Sequence, residues 1–583
     1  MSIVIRASII KKFVNVKFIL ILILLIASFL RLYKLSVNPP SLFGDELDLG
    51  YQAYSILKTG RDYQGNFMPI HFHSLAEWRT PLYLYSAVPT VAIFGITPLG
   101  VRLPAVIFGI LGVWAMYLFV KELLSYGQPY SDKHPRALLA AFLMAISPWS
   151  LQYSRAGFEV TEMLFFLILG LFLFLRSLSD SKWLWLSILC LVLTPWVYST
   201  AKLFTPMLLI FIFIIWRKNI LSMKKSNLLK AVFVGLIVGL PIIFNTFFGG
   251  GTQRIGDISV LSDARMEQVV GTAREIDQKV GTPQILSRLL NNKYVYWGGE
   301  TVNNYFQSFS SEFLFLKGDI NLRQSVGLGQ LYLIEIVPLL LGLAFFFFEK
   351  GIDIKIKSLM GFWLLIAAFP SATTLGGGTH ATRLILMLPI LIFFISYGWV
   401  AVYKLIIQKY KAAFIITISA LYALCMLFYF HQYYAVYAFT SAHWWHYGWG
   451  PAISEIKSID SNYDRVIISM SGEPAWIFFA GYYQYNPSLW QKEFPIGNDM
   501  EVAGFGKISH TGKFYFGSPE DSVKIYGLGK YIDSKTLYLA NASEDGENLI
   551  LHPDKAPSGL KLIKAIPFPS GEPAFYLFSG TEN

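Results

Sequence analysis

The composition excludes an ordinary soluble protein. Of 583 residues, 54% are hydrophobic and only 15% are charged, and apolar runs of nearly twenty residues recur. This pattern is typical of a polytopic α-helical membrane protein. The net charge of +11 does not indicate nucleic-acid binding, because Lys and Arg lie mainly in short loops between apolar runs. Cys190 and Cys425 both lie inside apolar runs, so no disulfide or zinc framework is expected.

The N-terminal segment is predicted to be an uncleaved first span. Arg6, Lys11, Lys12 and Lys17 precede an apolar run from about residue 18 to 35. No small-residue cleavage site follows this run, and Arg and Lys residues close it as in a membrane anchor. The preceding positive charges place the N-terminus in the cytoplasm.

The apolar runs predict about eleven transmembrane helices in the plasma membrane. The predicted spans lie at about 18–35, 101–124, 137–153, 160–175, 183–198, 203–216, 231–248, 329–348, 358–372, 384–403 and 412–430. With the basic loops in the cytoplasm, the C-terminus emerges outside. A shorter run at 82–96, interrupted by Pro89, is predicted to lie in the membrane interface.

Two domains are predicted. Residues 1–450 form the transmembrane domain, with a first outer loop at 36–100 and a long outer loop at 249–328. From about residue 454, short alternating apolar runs are separated by Gly, Pro, Asn and Asp, as in strands joined by turns. Residues 451–583 are therefore predicted to form a small extracytoplasmic α/β domain.

A cluster of carboxylates follows the first span. Asp45, Glu46 and Asp48 stand close to the membrane, where acids are costly unless they face water or a partner. We therefore take Asp45 and Glu46 as candidate functional residues. A non-functional alternative is that they stabilise the start of a helix beside the membrane.

Other polar residues near span ends fall on the same predicted side of the membrane as this acid pair. They are Arg79, Arg155, Glu159, Lys202, His380 and Arg383. Paired carboxylates can deprotonate an acceptor, and Arg and Lys can stabilise the charge that develops on a departing phosphate. A phosphate-linked lipid substrate at the membrane surface would use both kinds of group.

Several motifs resemble the GT-C membrane glycosyltransferases. They are Gly44-Asp45-Glu46, Trp78-Arg79-Thr80-Pro81-Leu82-Tyr83-Leu84-Tyr85, Phe94-Gly95, Val101-Arg102-Leu103-Pro104, Ser147-Pro148, Tyr153-Ser154-Arg155, Tyr198-Ser199-Thr200-Ala201-Lys202, Glu312-Phe313-Leu314-Phe315, Asp319 with Asn321-Leu322-Arg323, and His380-Ala381-Thr382-Arg383. They are most similar to the prokaryotic branch that contains protein O-mannosyltransferases and the aminoarabinose transferase of lipid A. The resemblance spans most of residues 18–450.

The resemblance implies a transferase that uses a polyprenyl-phosphate-linked sugar and inverts the sugar carbon in a single displacement. Asp45 would be the catalytic base, with Glu46 beside it, and Glu159 would assist from the second outer turn. Lys202, Arg383 and Arg155 would neutralise the phosphate. The further substrate-binding candidates are Arg79, Arg102, Tyr198, Asp319, Arg323 and His380.

Several of these residues have structural alternatives. Arg155 and Glu159 stand at helical spacing and would also suit an interfacial ion pair. Lys202 would also suit a side chain that snorkels to the interface, and Asp319 and Arg323 would also suit a role in folding the long loop. The aromatic run at 443–447 would stack on a sugar or anchor the chain at the membrane interface.

The sequence leaves the metal, the sugar and the acceptor open. His71, His73 and Glu77 have spacing compatible with a divalent metal, but no complete ligand set is evident. The acceptor would be a lipid, a surface glycan or a protein hydroxyl. Alternatives to the transferase are a lipid-carrier transporter or flippase and a non-catalytic scaffold. Transporters typically show internal repeats and midplane polar residues, and neither stands out here.

Overall fold

The chain divides into two units in a computed structural model. The structure describes residues 2–74, 77–127, 132–249, 256, 258–493 and 499–581, without the side chains of residues 2–15 and 77. Unit 1 comprises Met1–Tyr33, Glu77–Thr80 and Ala105–Tyr429, and unit 2 comprises Lys34–Ala76, Pro81–Pro104 and Phe430–Asn583. This division differs from the sequence-based boundary at residue 450, because most of the first outer loop groups with the C-terminal region.

Helices make up most of the chain. Those of ten or more residues are Ser2–Leu32, Gly44–Thr59, Leu82–Phe94, Pro98–Leu123, Lys133–Ile146, Val160–Ser177, Leu184–Val197, Ala201–Leu221, Lys225–Phe248, Arg265–Lys279, Lys293–Gln307, Ile336–Phe348, Ile354–Ala367, Leu388–Leu405, Lys411–His431 and Trp449–Ile459. The shorter α-helices are Pro148–Ser154, Gln284–Leu290, Phe369–Ala372, Ala381–Leu384, Tyr437–Thr440, Ala475–Tyr483, Pro487–Glu493 and Lys524–Gly527.

All eleven predicted spans overlap helices, but fewer helices meet the length and hydropathy expected of a span. Within the described residues, seven helical segments do so: Pro98–Leu123, Val160–Ser177, Ala201–Leu221, Lys225–Phe248, Ile354–Ala372, Ala381–Leu405 and Gln408–Thr440. A bent pair of helices brings the number to eight. The structure therefore supports a multi-pass helical membrane protein, while the count of eleven remains a prediction.

The bent pair lies where the sequence predicts one continuous span at 137–153. Helices Lys133–Ile146 and Pro148–Ser154 meet at an angle of 57°. Ser147 between them has an extended ψ of 131°, and Pro148 begins the second helix. Proline has no N–H and pushes the preceding residue out of the helical conformation, so a bend is expected at this position.

Glycines bring two helices of unit 1 into close backbone contact. A Cβ placed at Gly342 would lie 1.8 Å from the carbonyl oxygen of Phe394, and one placed at Gly398 would lie 1.9 Å from that of Pro338. Helices Ile336–Phe348 and Leu388–Leu405 can therefore approach this closely only while both positions lack a side chain. Small residues serve the same purpose where membrane helices pack.

Gly342→Ala is expected to lower the stability of unit 1 by about 1–3 kcal/mol, because the new methyl group would push a backbone carbonyl away. The measurement is the thermal unfolding midpoint in one detergent. Gly112→Ala is the matched control, since a Cβ there would meet no atom within 4 Å. Equal midpoints for the two variants would contradict the close-packing account.

Unit 2 contains a seven-stranded sheet. Strands β1 (Phe72–Ser74) and β2 (Glu77–Arg79) lie outside this sheet. The sheet strands are β3 (Arg465–Ile468), β4 (Asp499–Val502), β5 (Gly506–Thr511), β6 (Phe514–Phe516), β7 (Thr536–Asn541), β8 (Leu560–Pro567) and β9 (Pro573–Gly580). Their order is β4-β5-β6-β3-β7-β9-β8, with β3 parallel to β6 and β7 and every other pair antiparallel. The predicted strand-rich C-terminal region is thus observed.

The first-loop helix Gly44–Thr59 packs against C-terminal helices within unit 2. Tyr51 donates from its hydroxyl to the carbonyl of Tyr485 at 3.1 Å. Gln491 donates from its side-chain amide to the Ser55 hydroxyl at 3.0 Å and to the Asp62 carbonyl at 2.8 Å. The sequence segment that carries the candidate acids is thus part of the same packed unit as the residues after 430.

Candidate functional site

The two candidate acids begin the helix Gly44–Thr59 in different surroundings. Both lie in its first turn, where a negative charge is favourable, and Phe43 occupies the N-cap position. Asp45 is partly exposed, whereas Glu46 is fully buried. Both acids therefore occupy positions where their charge stabilises the start of the helix, but neither of them is the N-cap residue.

Glu46 forms a buried bidentate ion pair with Arg102. The Arg102 guanidinium donates from Nε to Oε1 at 2.7 Å and from Nη2 to Oε2 at 2.8 Å. Its Nη1 also donates to the carbonyls of Leu35 and Pro39 at 3.3 and 3.0 Å. Because neither side chain of the ion pair is exposed, this arrangement suits fixing the loop before the helix better than proton transfer.

Aromatic side chains of unit 2 surround the start of this helix. Phe43 meets Trp445 edge to face, with ring centroids 5.3 Å apart. A Cβ at Gly44 would lie 3.6 Å from Cζ of Phe478. The Arg102 guanidinium lies over the Trp445 ring, 5.4 Å from its centroid. Trp445 is fully buried, so this residue of the aromatic run is neither an exposed sugar platform nor a membrane anchor.

A second acid–base pair lies around Phe478. His446 packs edge to face on Phe478 at 5.1 Å, and its Nε2 lies 3.2 Å from Oε1 of Glu473. The buried Nδ1 of His446 has no hydrogen-bond partner among the described residues. Its φ of 51° is unusual for a residue other than glycine. The sequence indicates His446 only as part of the aromatic run, and no spacing rule connects Glu473 to it.

In unit 1, Arg79 lies beside Glu159. Nη1 of Arg79 is 3.9 Å from Oε1 of Glu159, and Arg79 is buried. Arg155 donates from Nη1 to the carbonyls of Leu30 and Arg31 at 2.6 and 3.1 Å. These carbonyls end the helix Ser2–Leu32, where cations are favourable.

Arg155 and Glu159 do not share a helix, so their spacing in the sequence does not place them on the same face of one helix. Arg155 follows Pro148–Ser154, and Glu159 precedes Val160–Ser177. The buried contacts of Arg155 support a helix-capping role more directly than phosphate binding.

Asp319 joins the predicted long loop to the segment His380–Arg383. Its carboxylate accepts from the backbone N–H groups of Ala381 and Asn321 at 2.8 and 2.9 Å. Burial raises the pKa of Asp319, against the effect of these two donors and of Arg383. Arg323 lies two residues beyond Asn321, and its carbonyl accepts from Gln152 at 2.7 Å.

The predicted cations Lys202 and Arg383 line one cavity of about 1050 Å³ in unit 1. Tyr198 also lines it, together with polar residues that include Ser199, Thr200, Ser259, Thr373 and Thr374. The rest of the lining is mainly Leu, Ile, Val and Phe from helices Leu184–Val197, Ala201–Leu221 and Lys225–Phe248. An apolar cavity with two cations suits an amphiphile whose head group is anionic.

Thr374 orients one of these cations. Nη1 of Arg383 donates to the Thr374 hydroxyl at 2.7 Å and to the Leu375 carbonyl at 3.2 Å. Thr374 was not predicted as a site residue, although it lies just before the glycines at 376–378. His380 is half-buried and directly precedes the helix Ala381–Leu384.

No group of three or more His, Cys, Asp or Glu side chains suited to a metal ion occurs in the part of the chain that the structure describes. His71 is buried and His73 is half-buried, while the side chain of Glu77 lies outside the described residues. Binding of a divalent metal by these three residues therefore stays a hypothesis from the sequence.

The comparisons with known proteins give weak structural and partial family matches. The chain is similar to the archaeal oligosaccharyltransferase AglB from Archaeoglobus fulgidus in complex with an inhibitory peptide and a dolichol-phosphate. This match covers 81% of the present chain and 64% of the other, with 14% identity and a TM-score of 0.45. Over 97% of its length it is similar to 98% of ArnT from Cupriavidus metallidurans bound to undecaprenyl phosphate, with 9% identity and a TM-score of 0.48. These likenesses are too low to carry an argument.

Residues 79–244 match the family described as dolichyl-phosphate-mannose-protein mannosyltransferase. No curated protein matches the chain. The matched segment contains Arg79, Arg102, Arg155, Glu159, Tyr198 and Lys202. It covers less than half of the chain, and it includes motifs on which the predicted resemblance rests. The family match thus confirms that this chain resembles the GT-C membrane glycosyltransferases, in the branch that contains the protein mannosyltransferases.

Proposed function

We propose that the protein transfers a sugar from a polyprenyl-phosphate carrier to a lipid, glycan or protein acceptor at the extracytoplasmic face of the plasma membrane. The observation that carries this proposal is the apolar cavity of unit 1 with Lys202 and Arg383 in its lining. A polyprenyl chain needs an apolar surface, and its phosphate needs cations or hydrogen-bond donors. The family match at residues 79–244 supports the same substrate class.

The proposed reaction is a single displacement. The bond between the anomeric carbon and the phosphate oxygen breaks, and a bond from the acceptor oxygen or nitrogen to that carbon forms. The polyprenyl phosphate leaves with the electron pair of the broken bond, so its negative charge increases. Lys202 and Arg383 would stabilise that charge, while the carboxylate of Asp45 would accept the acceptor proton.

Glu46 and Arg102 have a positioning role in this proposal. Their mutual ion pair and the contacts of Arg102 with the carbonyls of Leu35 and Pro39 hold the chain that leads to Asp45. Glu159 and Arg79 would contribute to the polar surroundings of the donor in unit 1. Asp319 would set the backbone from which Arg383 projects.

The test is turnover by the purified protein in lipid nanodiscs, offered a panel of polyprenyl-phosphate sugars with candidate acceptors. Release of polyprenyl phosphate with transfer of one sugar to an acceptor is the expected result. Movement of an intact donor across the bilayer of a proteoliposome, without cleavage, would show a transporter instead. Absence of both activities and of donor binding would overturn the proposal.

Lys202→Ala and Arg383→Ala are each expected to weaken binding of polyprenyl phosphate by about tenfold or more, because each removes a hydrogen bond to a charged group. The measurement is a binding titration in detergent with a water-soluble short-chain polyprenyl phosphate. Lys218→Ala is the matched control, since Lys218 lies near the other end of the same helix and does not line the cavity. Equal affinities for Lys202→Ala and Lys218→Ala would contradict the phosphate role.

A further inference from the structure

Three helices of the predicted long loop expose an unusual number of large apolar side chains. They are Arg265–Lys279, Gln284–Leu290 and Lys293–Gln307, here called the loop helices. The exposed apolar residues are Val269, Ile276, Ile285, Leu286, Leu289, Leu290, Tyr294, Val295, Val302 and Phe306. Ile285 is 85% exposed, Leu289 67% and Phe306 69%. Several large apolar side chains exposed in one region indicate a protein or membrane interaction surface.

The third loop helix is attached to the end of an apolar span. Asn304 donates from its side chain to the carbonyls of Ala372 and Thr374 at 3.2 and 3.0 Å, and the Tyr305 hydroxyl donates to the carbonyl of Leu365 at 3.0 Å. Ala372 is the last residue of the span Ile354–Ala372. Helix Lys293–Gln307 is therefore held at the level where this span ends.

The residues before the loop helices line the same cavity as the end of a second span. Ser259 and Thr374 form an isolated antiparallel bridge. Ser259 and Ile258 line the same cavity as Thr246 and Phe247, which close the span Lys225–Phe248. The end of that span itself exposes Phe244, at 66%, and Phe247, at 69%. Exposed apolar side chains thus occur both at the end of that span and on the loop helices.

The distribution of residues in the third loop helix suits a membrane interface. Val295, Val302 and Phe306 recur at helical spacing on the exposed side, while Asn304 on the other side is buried. Lys293 lies 5.2 Å from the ring centroid of Tyr294 and 5.6 Å from that of Trp297. Apolar residues combined with Trp, Tyr and Lys are typical of helices that lie in the plane of the headgroups.

We infer that the loop helices lie on the membrane, with Ile285, Leu289 and Phe306 inserted at the boundary between lipid headgroups and acyl chains. The occupant of this apolar surface is lipid, because helix Lys293–Gln307 is held where an apolar span ends and carries the residue types of an interfacial helix. The attachment is separate from catalysis.

Site-directed spin labelling of the full chain in lipid nanodiscs tests this inference. Single cysteines at Leu289 and Phe306 carry a nitroxide, in a background with Cys190 and Cys425 replaced by alanine. Leu236, exposed on the span Lys225–Phe248, is the lipid-facing control, and Gln278, an exposed polar residue of the first loop helix, is the water-facing control. The readout is the ratio of collisions with oxygen to collisions with a water-soluble nickel chelate.

Labels at Leu289 and Phe306 are expected to resemble the label at Leu236, with frequent oxygen collisions and few nickel collisions. If they instead match the label at Gln278, the loop helices face water and the inference is overturned. Exclusion of both reagents, with dipolar broadening between labels, would also overturn it, because a second copy of the chain would then cover the surface. All labelled positions are exposed, so the labels themselves should not prevent folding.

Discussion

Asp45→Asn is expected to lower sugar turnover by about 10²- to 10⁴-fold, which is the usual contribution of a general base. Asparagine keeps the size and polarity of the side chain but cannot accept the acceptor proton. Asp45 is partly exposed at the start of its helix, whereas neighbouring Glu46 is buried in an ion pair, so Asp45 is the acid better placed for proton transfer. The measurement is the initial rate of sugar transfer in nanodiscs with the donor that the wild-type protein uses.

Two controls accompany the activity measurement on Asp45→Asn. Asp521→Asn, at an exposed position of unit 2, is the matched control and should leave the rate unchanged. Thermal unfolding of Asp45→Asn should match that of the wild type, because the substitution keeps the size of a partly exposed side chain. If Asp45→Asn turns over at the wild-type rate, Asp45 is not the base. If binding of polyprenyl phosphate is lost together with turnover, Asp45 acts in donor binding.

Glu46→Gln is expected to destabilise the protein strongly, by about 3–5 kcal/mol, because it leaves the buried charge of Arg102 without its counter-ion. Both side chains of this pair are fully buried, and the guanidinium binds both carboxylate oxygens. The expected result is a large drop in the midpoint of thermal unfolding in a single detergent. Activity per folded molecule should fall much less than in Asp45→Asn.

Glu455→Gln is the matched control for Glu46→Gln. Glu455 pairs with Lys564 at 2.5 Å, but their side chains are 24% and 52% exposed. Surface ion pairs contribute only about 0–1 kcal/mol, so this variant should unfold close to the wild-type temperature. Arg102→Lys should resemble Glu46→Gln, because lysine cannot reproduce the two parallel hydrogen bonds. Equal unfolding midpoints for Glu46→Gln and Glu455→Gln would contradict the importance of the buried pair.

Local sequence pattern was sufficient to place most helices. All eleven predicted spans overlap helices, because a long apolar run must satisfy its backbone hydrogen bonds within itself when it enters lipid. The break at Ser147-Pro148 could have been anticipated, since the proline is visible in the sequence. The prediction continued through it because hydropathy alone does not register the missing N–H.

The division of the chain into units was not predictable from composition. The change in composition near residue 450 reports where the chain becomes more polar, whereas the units follow packing between distant residues. Contacts such as that of Tyr51 with Tyr485 join the first outer loop to the C-terminal region within unit 2. A hydrogen bond between residues 434 positions apart leaves no periodic signal in the sequence.

The features of the candidate site also fall into those that the sequence indicates and those that depend on tertiary packing. The order of residues alone indicates that Asp45 and Glu46 follow the first apolar run and that Lys202 and Arg383 lie near the ends of apolar runs. It also carries the resemblance to a family of membrane glycosyltransferases. Charge and hydropathy are local properties, so these features can be identified from the chain alone. Folding pairs the buried Glu46 with Arg102 and leaves Asp45 partly exposed. It also places Arg155 at the end of the helix Ser2–Leu32. It also brought Lys202 and Arg383 into one cavity. The physical reason is that burial and ion pairing depend on partners 56 or more residues away, whose positions are set by packing rather than by spacing.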